Sequence, residues 1–119
     1  MKIGINGSGH LASPNLDAIV ADIEQSEADG YASYWLAQTA LADSIAMLGI
    51  AGRTTSEIEL GTAVVPTWTR HPEVMAAGAL TAQAASKGRL VLGIGLAHQT
   101  TVEDRWGMAW ERPVKHMSE

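Results

Sequence analysis

Residues 60–66 read LGTAVVP and residues 88–95 read GRLVLGIG. Each is a short aliphatic run bounded by glycine or proline, the pattern of a strand buried on both faces. Between them His71-Pro72 opens an alanine-rich segment that places Val74, Met75, Ala79 and Leu80 on one helical face. Lys87-Gly88 closes that segment with a cation and a C-cap glycine. Strand, helix, strand at this spacing predicts two parallel strands joined by a right-handed crossover.

The same unit recurs toward the amino terminus. Residues 2–6 (KIGIN) predict a strand and Gly7-Ser8-Gly9 a loop. Ser13-Pro14 supplies an N-cap and a first-turn proline for a helix whose inward side is Leu16, Ile19, Val20 and Ile23, stopped at Gly30. Residues 31–36 (YASYWL) form a second strand, and Leu41, Ile45 and Leu48 are the buried stripe of a second helix that Gly49 and Gly52 weaken or end. Ile58, Leu60 and residues 63–65 then make the third strand, ended by Pro66. Beyond the fourth strand a polar loop holds Trp106, Met108 and Trp110, which either cover the sheet's edge or line a pocket. Pro113 starts a last helix that the chain cuts off. The expected class is α/β: parallel (β/α) units forming the first half of a TIM barrel. Residues 1–119 are then a single partial domain of four β/α units, truncated in the helix after strand 4. A closed barrel needs roughly 250 residues.

Composition narrows the function classes. Apolar residues are 46% of the chain and charged ones 18%, a balance suited to a folded core. The formal charge is −5 with scattered cations, which argues against nucleic acid or an acidic membrane as partner. The absence of cysteine removes thiolate chemistry and disulfides, and no stretch reads as a signal peptide or bilayer span, so a cytoplasmic location is expected. The four histidines lack metal-site spacing, so no metal is expected.

In parallel β/α architectures ligands gather at the carboxyl ends of strands, here residues 6–10, 37–40, 62–71 and 95–99. The glycines at 4, 7 and 9 tempt a dinucleotide reading, but their order is G-x-x-G-x-G rather than G-x-G-x-x-G, and Pro14 separates them from the helix. His71 reads as the cap of the helix that Pro72 begins, His116 as a residue on a solvent-facing helix turn, and His10 as a weak candidate.

Taken together, LGTAVVP at 60–66, Arg70-His71-Pro72 and GRLVLGIG at 88–95 resemble, in register, the luciferase-like oxidoreductases. Residues 30–36 are similar to that family's second strand, and Arg112-Pro113 through His116-Met117 to the start of its fourth main helix. The likeness is nearest to the actinobacterial type that uses coenzyme F420. It implies a strand bulge with a non-prolyl cis peptide at Ala63-Val64, beneath the central ring of a flavin or deazaflavin. It thereby assigns cofactor contacts to Gln38, Thr39, Thr62, Ala63, Val64 and Gly95. Where several F420 enzymes carry an Asp-His pair, this chain has Gln38-Thr39, leaving Gln38 to hydrogen-bond a ring edge. Where some relatives place a proton-donating glutamate, this chain has His98, and imidazole titrates near neutrality and can do the same work.

The implied function is hydride transfer between F420 and a small organic substrate. The alternatives are an FMN-dependent monooxygenase and, from another class, a non-catalytic half-barrel or assembly module. The resemblance leaves most of the cofactor's phosphate grip to loops outside this chain. Parallel barrels lose their edges only by closing, so two copies, or a complementing half-barrel, are expected to pair.

Overall fold

A computed structural model describes all of residues 1–119. Strand β1 spans Gly4–Asn6, β2 Ser33–Leu36 and β3 Glu59–Thr62, which after a short break resumes as β4, Val65–Pro66. The fourth strand is likewise broken, into β5 at Leu90–Val91 and β6 at Ile94–Gly95. The main sheet runs β1-β2-β3-β5, β4 pairs with β6, and every pairing is parallel. A dinucleotide-binding sheet reverses strand order at a switch point, whereas a barrel lays each strand beside its predecessor. The sequential order seen here is that of a barrel segment, with β1 and β5 outermost in the main sheet.

Helices α1 (Leu16–Ala28), α2 (Ser44–Ala51) and α3 (Pro72–Ala85) cover one side of the sheet, and a short α4 (Pro113–Ser118) follows the fourth strand. The cap of α1 is Asn15, whose side chain accepts from Ala18 N at 2.9 Å, and not Ser13. A 3₁₀ turn over Ser8–Ala12 ends on Ser13, and the helix begins two positions later than the Ser13-Pro14 signal predicts. Asp43 caps α2 in the same way, which leaves Leu41 outside the helix and 66% exposed rather than in its stripe. On α3 only Met75 and Ala82 are buried, while Val74 and Leu80 face outward. The reason is close packing against α2: Gly49 lies against Ala82, where an added Cβ would stand 3.3 Å away. Small residues make that contact, and the bulky ones have no room in it.

The core is one-sided. Tyr34, Leu36, Ile58 and Leu60 project toward the helices and pack with Ile19, Ile23, Met47 and Leu48 in one buried cluster. A second, smaller cluster joins Ile45, Val65, Met75 and Ala82. On the concave side Ser33 and Trp35 are only half-buried and Glu59 is exposed. The expectation that the fourth strand is buried on both faces therefore fails, since Leu92 and Ile94 are 37% and 43% exposed. Four strands curve without an opposite wall, so their inner face meets solvent. The radius of gyration, 14.7 Å, correspondingly exceeds the roughly 13.5 Å of a compact chain this long.

Two charged side chains tie the amino-terminal ends of the strands. Arg89 donates to the carbonyls of Gly52, Thr55 and Ile58 and to Thr55 Oγ1, at 2.8–3.1 Å, binding the exit of α2 to the entrance of β3. The Glu27 carboxylate accepts from the backbone N–H of Ser56, Glu57 and Ile58 at 2.7–3.0 Å. Burial opposes ionisation of Glu27, but the bonds from Ile58, Glu57 and Ser56 outweigh it and hold the group below the usual carboxylate range. No helix is long and apolar enough to cross a membrane.

Candidate active site

At the opposite end of the strands the loops diverge and leave a cavity of about 390 Å³. Gln38 and Thr39 from the β2 loop meet His98 from the loop after β6, with Pro66, Ala97, Arg105 and Trp106 completing much of the wall. Three of the residues expected at a site are thus brought together there. The rest divide. Thr62 is buried, its hydroxyl donating to Gly93 O and accepting from Gly93 N, both at 2.8 Å. It stitches the third strand to the fourth and does not line the cavity.

Ala63-Val64 is a cis peptide bond at the break between β3 and β4, as the resemblance implies. The break is anchored on both flanks: Ala63 N donates to Leu36 O, Val65 N to Gly93 O, and Val64 O accepts from Gln38 N, at 2.8–3.1 Å. The Val64 side chain is nevertheless 40% exposed. It rests on Gly95, where any Cβ would come within 2.5 Å of Val64 Cγ2, so only glycine lets the valine lie in this position. Gly95 is a support beneath the site, and neither it nor Val64 lines the cavity around His98.

Gln38 is more committed than the sequence suggests. Its amide nitrogen donates to the carbonyls of Thr39 and Ala42 at 2.8 Å, and its oxygen accepts from Ser44 N and Ser44 Oγ at 3.0 and 3.2 Å. These four bonds hold the loop into α2 and occupy the amide that was expected to meet a ring edge. Thr39 Oγ1 accepts from Leu41 N at 3.3 Å, a long contact that leaves its hydroxyl hydrogen free.

His98 is exposed, and its carbonyl accepts from Thr101 N and Val102 N at 2.9 and 3.0 Å. The residue before it, Ala97, has φ +60°, a left-handed conformation that a Cβ disfavours and that concentrates at functional sites. That kink turns the chain from β6 into a π-helical turn over Thr101–Arg105, pinned by the fully buried Val102. Alanine carries no sequence signal for positive φ. Arg105 also went unread, because a lone arginine in a polar loop looks like solvated surface.

The remaining histidines find other work. His71 caps α3, its Nδ1 accepting from Glu73 N at 3.2 Å, as the Pro72 signal implies. His10 Nε2 lies 3.3 Å from Asp22 Oδ2, which also accepts from the Tyr34 hydroxyl. Burial pushes the Tyr34 phenol up, and the bond to Asp22 and its charge push it further, so Tyr34 stays protonated. His116 corrects its expectation: it does not face solvent but stacks on Trp68 at 3.9 Å with Nε2 3.1 Å from Thr67 Oγ1. The apolar trio of the last loop separates likewise. Trp106 lines the cavity, Trp110 tilts against Trp68 at 5.3 Å, and Met108 is 38% exposed. No three His, Cys, Asp or Glu converge as metal ligands.

The family described as luciferase-like monooxygenase matches residues 1–119. An uncharacterized protein of Mycobacterium tuberculosis is 36% identical over 107 residues, 89% of this chain and 31% of that protein. A second M. tuberculosis protein, named as a coenzyme F420-dependent oxidoreductase, is 30% identical over 121 residues, 100% of this chain and 34% of its own length. The chain spans about a third of the length of these curated relatives. Among solved structures, the oxygenating constituent of 3,6-diketocamphane monooxygenase from Pseudomonas putida, in complex with FMN, superposes with a TM-score of 0.85 over 99% of this chain and 36% of its own. At 15% identity that likeness speaks for the fold alone.

Proposed function

Because the chain belongs to the luciferase-like monooxygenase family, we propose that it carries the ring-supporting half of an oxidoreductase site, with F420 as redox cofactor and a small organic molecule as substrate. One observation carries this reading: an aliphatic side chain, Val64, stands 40% exposed at a strand break that three backbone hydrogen bonds anchor, and Gly95 makes space beneath it. An exposed, immobile apolar shelf at the carboxyl ends of parallel strands suits the face of a planar ring and has no structural use of its own. Ala63, Val64 and, behind them, Thr62 and Gly95 would hold such a ring. A bound deazaflavin would supply hydride transfer; a bound FMN would supply oxygen chemistry.

The chain's own part is positional. Val64 would cover one face of a bound ring and leave the other to the substrate. On this reading His98, in the cavity that Thr39 also lines, would hold a proton at its imidazole and pass it to the substrate, with the Thr39 hydroxyl as a further donor. F420 is preferred over FMN because a relative whose alignment spans all of this chain, and 34% of its own length, is named for F420. Titration with F420 and with FMN, followed by deazaflavin and flavin absorbance, tests the choice: a perturbed deazaflavin band supports it, and a perturbed flavin band alone reverses it. No response to either leaves only the non-catalytic half-barrel.

The site is completed, on this reading, by another half. Residues 1–119 act as a single partial barrel domain, and the outermost strands β1 and β5 pair with those of a second copy about a twofold axis, or with a complementing half-barrel. The half-exposed Leu92 and Ile94 beside that edge support the pairing. A monomer at all concentrations in sedimentation would dismiss the twofold arrangement.

A further inference from the structure

The cavity beside His98 has an unusual charge pattern for this chain. Aspartate and glutamate outnumber lysine and arginine thirteen to eight, yet no carboxylate lines the cavity, and its one permanent cation is Arg105. Three of the other seven cations are engaged: Arg70 pairs with Asp43, Lys115 with Glu119, and Arg89 donates to backbone carbonyls and Thr55. Arg105 has no carboxylate within 4.0 Å. Its neighbour Glu103 is held instead by Gln99, at 3.1 Å.

The turn that bears Arg105 is built rather than loose. Its start hangs from the His98 carbonyl, Val102 is fully buried under it, and Trp106 N and Met108 N close it onto the carbonyls of Thr101 and Val102 at 3.2 and 3.0 Å. Arg105 and the half-buried Trp106 are consequently presented to the cavity from a fixed platform. The lining thus holds one guanidinium, one indole and the hydroxyl-bearing Thr39, Thr69 and Thr101, all able to donate, and no carboxylate. Such a lining recognises an oxyanion and rejects a cation.

We infer that the substrate handled at this mouth carries an oxyanion, a carboxylate or phosphate, which Arg105 binds while Trp106 flanks the group that bears it. The inference rests on the oxidoreductase reading above and adds a substrate class to it.

The test follows amide and indole resonances of the isotope-labelled chain during titration with benzoate, phenyl phosphate and benzamide. Benzoate or phenyl phosphate should shift Arg105, Trp106 and His98, the tighter of the two naming the oxyanion, while benzamide binds at least tenfold more weakly. Arg105→Gln should weaken the anions at least fivefold without altering benzamide, and Arg105→Lys should restore part of the loss. Equal binding of benzoate and benzamide overturns the proposal, as does indifference to Arg105→Gln in a variant whose spectrum is otherwise unchanged. FMN and riboflavin form a control pair: if Arg105→Gln discriminates only between these, the anion is the cofactor's phosphate and the substrate inference falls. A chain that ignores F420 and FMN yet binds benzoate through Arg105 would sink the oxidoreductase reading and keep the oxyanion site.

Discussion

The two ends of the sheet are built on opposite principles. At the amino-terminal end, Glu27 and Arg89 turn charge into structure, each bound to several backbone groups of the α2–β3 connection. At the carboxyl end, His98 and Arg105 carry polar groups with no carboxylate partner, on a backbone that includes a left-handed alanine. One end spends its hydrogen bonds on the fold; the other withholds them. A polar group left unpaired at the surface costs little in stability and is free for a ligand, whereas one removed from a buried network leaves its partners stranded.

That contrast can be broken most sharply at Arg89. Arg89→Met strips three carbonyls of their donor, and the expected loss is about 3 kcal/mol, read as a lower urea midpoint with unchanged slope. Next comes Gly61→Ala, whose Cβ would run into the Trp35 ring. Overpacking there should cost about 2 kcal/mol and be visible in the Trp35 indole resonance. Glu27→Gln should cost only about 1 kcal/mol, because the carboxylate is partly screened by solvent. Its signature is the pH dependence. Since folding lowers the Glu27 pKa, its contribution is present at neutral pH and fades as pH falls below about 4.3 toward the lowered value. In the variant that acid-side slope should shrink. The smallest effects belong to the mouth: His98→Ala and Arg105→Gln should each change stability by less than about 0.5 kcal/mol while weakening ligand binding. If either proves as destabilising as Arg89→Met, the two ends are alike and the mouth is scaffold.

The sequence was easiest to read where a residue's job is local. Gly30 at φ +85° and Pro72 behind a histidine cap act within a few positions, and both were legible. Reading failed where the decisive partner is distant. Arg89 reaches residues more than thirty positions away, and His116 finds Trp68 and Thr67 across the whole of α3 and the fourth strand. It also failed where two local signals compete, since Ser13 and Asn15 are both good caps and only the 3₁₀ turn before them decides. Val74 and Leu80 misled for another reason: periodicity marks an apolar face but does not say that α2 and α3 approach through glycine and alanine. Within the site, Gln38, Thr39 and His98 followed from the strand-end rule, while Arg105 required the folded turn.

Gly95 sets the height of the floor on which Val64 lies. A single methyl group placed there would come within 2.5 Å of Val64 Cγ2 and force the valine to shift, so the shape of this shelf is set from the strand behind it. A lineage could therefore reshape this exposed surface by changing the glycine beneath it.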